Sequence, residues 1–171
     1  PMTDDASVSI RLAEPGDEPV LWLMLTYAAS MGEGGPGRIE EARADPYLRS
    51  YVEGFGSRRE DLGFVAVAPT RRIVGAAWIR RDFEASALHV GGPAEPELSI
   101  GVSPEHRGQG IGERLLDALL RACRGRHPSI MLSVRSENPA VRLYRRTGFE
   151  EIDRIRNRVG GVSLVMRCRL D

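Results

Sequence analysis

A chain of 171 residues with 42% apolar content suits one compact domain, expected to span residues 1–171 with 1–6 as a flexible N-terminus. Its 24 cationic residues are all arginine and balance 24 acidic ones, but residues 1–100 carry 10 Arg against 16 acids and residues 101–171 carry 14 against 8. The basic half suits a polyanionic cofactor; no dense arginine run with interleaved aromatics is present, so nucleic acid is not an expected partner.

Cys123 and Cys168 stand far apart and read as buried thiols of a reducing compartment, and His89, His106 and His127 are too scattered for a metal cluster. The opening "PMTDDAS" is unlike a signal peptide, with Pro1 reading as a tag-cleavage remnant. The longest apolar run is far short of a membrane span. A cytoplasmic protein with no membrane and no metal is expected.

In chain order, "SVSIRLAE" (7–14) alternates Val8, Ile10 and Leu12 as a first strand. A helix follows, with Asp17 as its cap and Pro19 in its first turn, and "MGEGGPG" (31–37) ends it. A second helical segment from Ile39 to about Glu53 is broken at Asp45-Pro46. "LGFVAVAP" and "RIVGAAWIRRDF" form a hairpin, "EASALHVGGPAEP" a loop, and "ELSIGV" a strand with Glu97, Ser99 and Gly101 on one face. From Ile111 a helix buries Ile111, Leu115, Leu116, Leu119, Leu120 and Cys123, and Gly125 stops it. "SIMLSV" is a strand, "NPAVRLYRRTG" a short helix between Asn138 and Gly148, and "FEEIDRIR" with "VSLVMRCRL" a closing hairpin around "NRVGG". The order predicts an α/β (α+β) fold, a mixed sheet of about seven strands flanked by about four helices.

Strand, glycine loop and helix around "HRGQGIGERL" is a phosphate-holding arrangement. A P-loop needs a lysine, which this chain lacks, and a dinucleotide fingerprint needs G-x-G-x-x-G, whereas Gly108, Gly110 and Gly112 alternate strictly. A tight strand–helix turn without ligand is the plain alternative. Arg107, Gly110 and Gly112 fit the pattern Q/R-x-x-G-x-G/A, and "NPAVRLYRRTGFEE" fits N-x-x-A-x-x-L-Y-x-x-x-G-F at Asn138, Leu143, Tyr144, Gly148 and Phe149, with Ala140 one place early. The two motifs resemble the GNAT superfamily of acetyl-CoA-dependent N-acetyltransferases over roughly residues 97–150, and the element order is similar over nearly the whole chain.

That resemblance implies the acyl-CoA N-acyltransferase fold, with a V-shaped opening between the strand ending near Val102 and "SIMLSV". Acetyl-CoA, as co-substrate, would lie there, its pantetheine against the main chain of Ile100, Gly101 and Val102. Its pyrophosphate would rest on the N–H groups of Arg107, Gly108, Gln109, Gly110, Ile111 and Gly112. Arg107 would act more through its backbone than its charge. Tyr144 would serve the departing thiolate by donating a proton or a hydrogen bond, full transfer included; packing on the sheet is its ordinary alternative. Asn138 is either a helix cap or a pantetheine contact. Glu97 is the base for the amine, with Glu95 or a chain of waters as alternatives. Ser133 stands where ribosomal-protein N-terminal acetyltransferases of the superfamily tend to carry glutamate, which disfavours a protein N-terminus.

The implied reaction moves acetyl from acetyl-CoA to a primary amine of a small molecule in a ternary complex. The acceptor site would lie among the first two helices, their glycine-rich loop and the "NRVGG" turn, and the acidic first half favours a cationic acceptor. A non-catalytic acyl-CoA sensor, transfer of a larger acyl group, and a protein N-terminal acceptor are the other readings. Homodimers are frequent in the resembled superfamily, but the sequence names no interface.

Overall fold

A computed structural model describes residues 8–28, 34–81, 95–157 and 160–170. The expected flexible N-terminus, most of the loop over 84–96 and the tip of the "NRVGG" turn lie outside these residues.

Seven strands form one sheet: β1 (Ser9–Leu12), β2 (Leu62–Val67), β3 (Ile73–Arg80), β4 (Glu97–Val102), β5 (Ser129–Arg135), β6 (Phe149–Arg156) and β7 (Val162–Arg169). Their order is β1-β2-β3-β4-β5-β7-β6. All neighbours are antiparallel except β4 and β5, which run parallel. Five helices flank the sheet: α1 (Glu18–Ala28), α2 (Ile39–Ala44), α3 (Pro46–Arg49), α4 (Ile111–Cys123) and α5 (Ala140–Arg146). The expected break at Asp45-Pro46 separates α2 from α3, where the Asp45 side chain accepts the Tyr47 N–H at 2.9 Å. α3 ends at Arg49, short of Glu53, and continues as turns.

Strand alternation sends side chains to two cores on opposite faces. Ala77, Ile79 and Leu98 pack with the apolar face of α4 and with α5, and all six α4 residues named from the sequence are buried there. Val65, Ala76 and Trp78 pack with α1, Ala42 of α2, Val52 and Phe55 on the other. α1 is buried on more than one side because it lies between the sheet and α2.

Asp17 departs from its expected role. α1 is preceded by a 3-10 turn over Pro15–Asp17, and the Asp17 carboxylate turns back to accept the Glu14 N–H at 2.7 Å and to pair with Arg11 at 2.8 and 2.9 Å. The hydrogen bond from Arg11 holds its carboxyl below the usual carboxylate range. Among the described residues no helix is long and apolar enough to cross a membrane, and no group of three His, Cys, Asp or Glu could hold a metal.

Candidate active site

The one parallel seam of the sheet barely closes. β4 and β5 share a single registered pair, Glu97 with Met131, supported by the Met131 N–H donating to the Pro96 carbonyl at 3.0 Å. Beyond it the strands part. The Ser103 N–H donates to Val74 on the β3 side, so by antiparallel alternation Gly101, Ser99 and Glu97 also turn their main chains to β3. Ile100 therefore presents N–H and C=O, and Val102 its N–H, to the opening, which is what an extended amide-bearing chain needs in order to add as a strand.

Gly101 is set apart from its two neighbours. Its main chain serves β3, and an added Cβ would fall inside 3.0 Å of the Met24 carbonyl oxygen. This glycine lets the α1 backbone lie directly on β4. Its main chain faces β3 rather than the opening.

At the far end of β4 the chain makes a 3-10 turn over Pro104–His106 and enters the glycine loop. Gly108 and Gly110 have φ of 76° and 81°, left-handed values that favour glycine, and Gly110 is the N-cap of α4. The N–H groups from Gly108 to Gly112 donate to no described carbonyl, giving a cluster of unused donors at the positive end of a 13-residue helix. Gly112 adds a second sign of a cradle. A Cβ there would meet only Leu143, Ile100 and Val102 side chains at ordinary distances of 3.7–3.9 Å, so packing alone does not demand glycine. Open donors and a needless bare Cα both fit a pyrophosphate seated against the loop.

Arg107 belongs to this cradle less than expected. Its N–H already donates to Pro104 at 3.3 Å. Its guanidinium lies 5.7 Å over the Tyr27 ring, with Nε donating to the Val102 carbonyl at 3.1 Å. Gln109 contributes its backbone, while its side-chain amide reaches Glu105 at 3.5 Å. Asn138 lies just before the start of α5 and accepts the Ala140 N–H at 2.9 Å through Oδ1, which leaves its amide nitrogen and the second lone pair of Oδ1 available.

Tyr144 is a buried residue of α5, its ring 5.8 Å from Phe149 in an edge-to-face contact. Its hydroxyl makes no hydrogen bond to another described residue. Burial raises its pKa well above 10. A phenol less acidic than a thiol cannot fully protonate a thiolate, for reference values are about 10 and 8.5. Full proton transfer, as expected from the sequence, is therefore disfavoured, and a hydrogen bond is what a phenol could offer a thiolate.

Glu97 sits in a cross-sheet row, Arg80–Glu97–Met131–Arg167. Both arginines are committed elsewhere. Arg80, with its side chain 3% exposed, pairs with the fully buried Asp61 at 3.0 and 3.1 Å and donates to the Ser50 and Glu53 carbonyls at 3.1 and 2.8 Å. Arg167 holds Glu95 through two bonds of 2.9 and 2.6 Å.

The residue that meets Glu97 was not singled out in the sequence. The Tyr51 hydroxyl donates to Glu97 Oε2, and Tyr47 lies 3.0 Å behind it, hydroxyl to hydroxyl. Tyr47 and Tyr51 stand four residues apart, a helical spacing visible in the sequence. Their meeting with a strand 46 residues further on was not.

A profile for the acetyltransferase (GNAT) family matches residues 29–149. The chain belongs to this family. It is 32% identical over 151 residues to mycothiol acetyltransferase of Arthrobacter sp. (strain FB24), a match covering 86% of this chain and 44% of that protein. The chain thus spans less than half the length of that relative. A shorter match of 62 residues, 35% of this chain and 38% of the other, is 45% identical to N-alpha-acetyltransferase RimI of Mycobacterium tuberculosis. Among solved structures, a GNAT-family acetyltransferase from Streptococcus pneumoniae superposes with a TM-score of 0.70 at 20% identity, covering 96% of this chain and 99% of that one. That likeness establishes the GNAT fold. The seven-stranded mixed sheet agrees with the expected architecture, with five helices in place of four.

Proposed function

We propose that this protein transfers the acetyl group of acetyl-CoA to a primary amine of a small molecule by direct attack in a ternary complex. The observation that carries the reading is the opening between β4 and β5, with unused donors of Gly108–Gly112 at one end and Glu97 at the other. Five strand steps of about 3.3 Å put roughly 17 Å between Glu97 and Val102, a span for an extended arm rather than a compact ligand.

Acetyl-CoA supplies a thioester, whose carbonyl carbon gains a C–N bond as the C–S bond breaks. The ammonium of the acceptor must first lose a proton to regain a lone pair, and Glu97 is the group that takes it. Backbone N–H groups of Ile100 and Val102 line the gap and can pair with the extended arm, while a backbone N–H nearer Glu97 would polarise the acyl carbonyl. Tyr144 donates a hydrogen bond to the sulfur as charge develops there. The relative named for mycothiol favours a small-molecule acceptor, and the acidic first half of the chain favours a cationic one.

The test is free thiol released from acetyl-CoA with a panel of amines against an amine-free blank. The panel contains a mycothiol-type acceptor, a polyamine, an aminoglycoside, amino-acid derivatives and a peptide N-terminus. Release with a small amine supports the proposal, and release with the peptide alone replaces it. Silence across the panel, with acetyl-CoA still raising Tm, refutes catalysis on these acceptors in favour of an acyl-CoA sensor.

A further inference from the structure

We infer that Tyr51, backed by Tyr47, is a positioning residue that fixes the Glu97 carboxylate for the proton transfer assigned to it above. The inference rests on that proposed function and adds to it how the base is oriented and by what.

Proton accounting sets the direction of the chain. An ionised carboxylate only accepts, and a phenol has one proton to give. Tyr51 spends its proton on Glu97, so in the contact between the two phenols Tyr47 is the donor. Bonds that all point one way polarise each other, and here the polarisation ends on the carboxylate. The two rings also meet edge to face at 5.5 Å, which restricts their rotation.

The backbone behind Tyr51 is held by the strand that also holds Glu97. From β3, Trp78 Nε1 donates to the Tyr51 carbonyl at 2.8 Å, and Arg80 grips the carbonyls on either side, at Ser50 and Glu53. Trp78 and Arg80 are the register partners of Ser99 and Glu97 on β4. A single strand therefore sets the separation of donor and acceptor. Glu18 on α1 adds a further tie by accepting the Gly54 N–H at 3.1 Å. Such support makes a contact precise enough to orient a reacting group.

Among the described residues, the charged and titratable groups around Glu97 include Tyr51 and Tyr47 on the α3 side, Arg80 with Asp61 on the β3 side, and Arg167 with Glu95 beyond Met131. Burial, then the charge of Glu97, holds Tyr51 well above its ordinary pKa, so it stays a neutral donor across the working range.

The experiment compares Y51F, Y47F, E97Q and the double variant E97Q/Y51F in the full chain. The first readout needs no ligand: titration of Glu97 by NMR in 13C-glutamate-labelled protein, with its signal assigned by its loss in E97Q. The midpoint should rise in Y51F, and rise less in Y47F, because the carboxylate loses a donor. An unmoved midpoint in Y51F overturns the inference. The second readout is kcat/KM against pH with the panel amine that is acetylated. Y51F should lose about tenfold, as expected for one hydrogen bond to a charged group. Its acid limb should move to higher pH, the KM for acetyl-CoA should be unchanged, and the variant should cost nothing more in the E97Q background. Losses that multiply in the double variant, or a loss with the acid limb unmoved, overturn the positioning role. Full activity of E97Q would sink the base assignment and this role together. Turnover that needs Glu97 but not Tyr51 sinks this inference alone.

Discussion

Two glycines of the site, eleven residues apart, should respond to the same substitution in opposite ways. In Gly101→Ala the new methyl meets the Met24 carbonyl oxygen inside 3.0 Å and the carbonyl carbon at 3.1 Å. Both are backbone atoms within a helix, so no rotamer change relieves the overlap, and α1 has to lift from β4. Overpacking of this kind costs about 1–3 kcal/mol. For a chain of this size each kcal/mol shifts Tm by about 2–4 °C, so the variant should melt roughly 2–12 °C lower. Gly112→Ala places its methyl at 3.7 Å or more from every neighbour and sits in the first turn of α4, where alanine is the better helix former. Its Tm without ligand should stay level or rise slightly. The rise produced by acetyl-CoA should persist, because the pattern this loop resembles accepts alanine at the position and the donors of the cradle are backbone N–H groups. Thermal melts of both variants, with and without acetyl-CoA, decide the matter. A Gly101→Ala protein melting with the wild type would refute the close approach of α1. A Gly112→Ala protein that melts well below the wild type would refute the loose packing at that position, and one that loses the acetyl-CoA shift would refute a cradle of backbone donors.

Breaking the buried Arg80–Asp61 pair by Asp61→Ala strands a guanidinium in the core, and should cost about 3–5 kcal/mol in urea unfolding. Asp61→Asn, which keeps an acceptor but not the charge, should cost nearly as much, and a much smaller cost than that of Asp61→Ala would argue against a charge effect. Tyr144→Phe should lower kcat while leaving acetyl-CoA affinity unchanged; equal turnover would remove its part in the chemistry. For Asp17 the folded pKa is depressed by Arg11, so its stabilising contribution is present above the unfolded value near 4 and is lost as pH falls through the folded one. Asp17→Asn should flatten the acid side of the stability–pH curve, measured by denaturant midpoints from pH 6 downward, and an unchanged slope would count against the pair.

What could be read from the sequence was local. α4 and its buried face follow from helical spacing between a glycine start and a glycine stop, and the α2–α3 break from a proline after a capping aspartate. The glycine loop was legible because backbone conformation there depends on the residues themselves. Tyr51 was not, because its importance arises from a partner 46 positions away, brought into reach by β3. The need for glycine at position 101 was not legible either, because it comes from the α1 backbone lying against β4. Asp17 fits either turn by spacing, and the choice falls to the backward one because Arg11 is there to pair with it.

With one registered pair between β4 and β5, the sheet is two blocks, four strands and three, joined across that seam by a single rung. Whatever enters the gap supplies missing rungs, so its binding energy becomes part of the cooperativity of folding. The amides of Ile100 and Val102 would then act as reporters of sheet continuity. In hydrogen exchange they should trade protons freely while the seam stands open, and slow to the pace of the core once an amide-bearing arm bridges the two blocks.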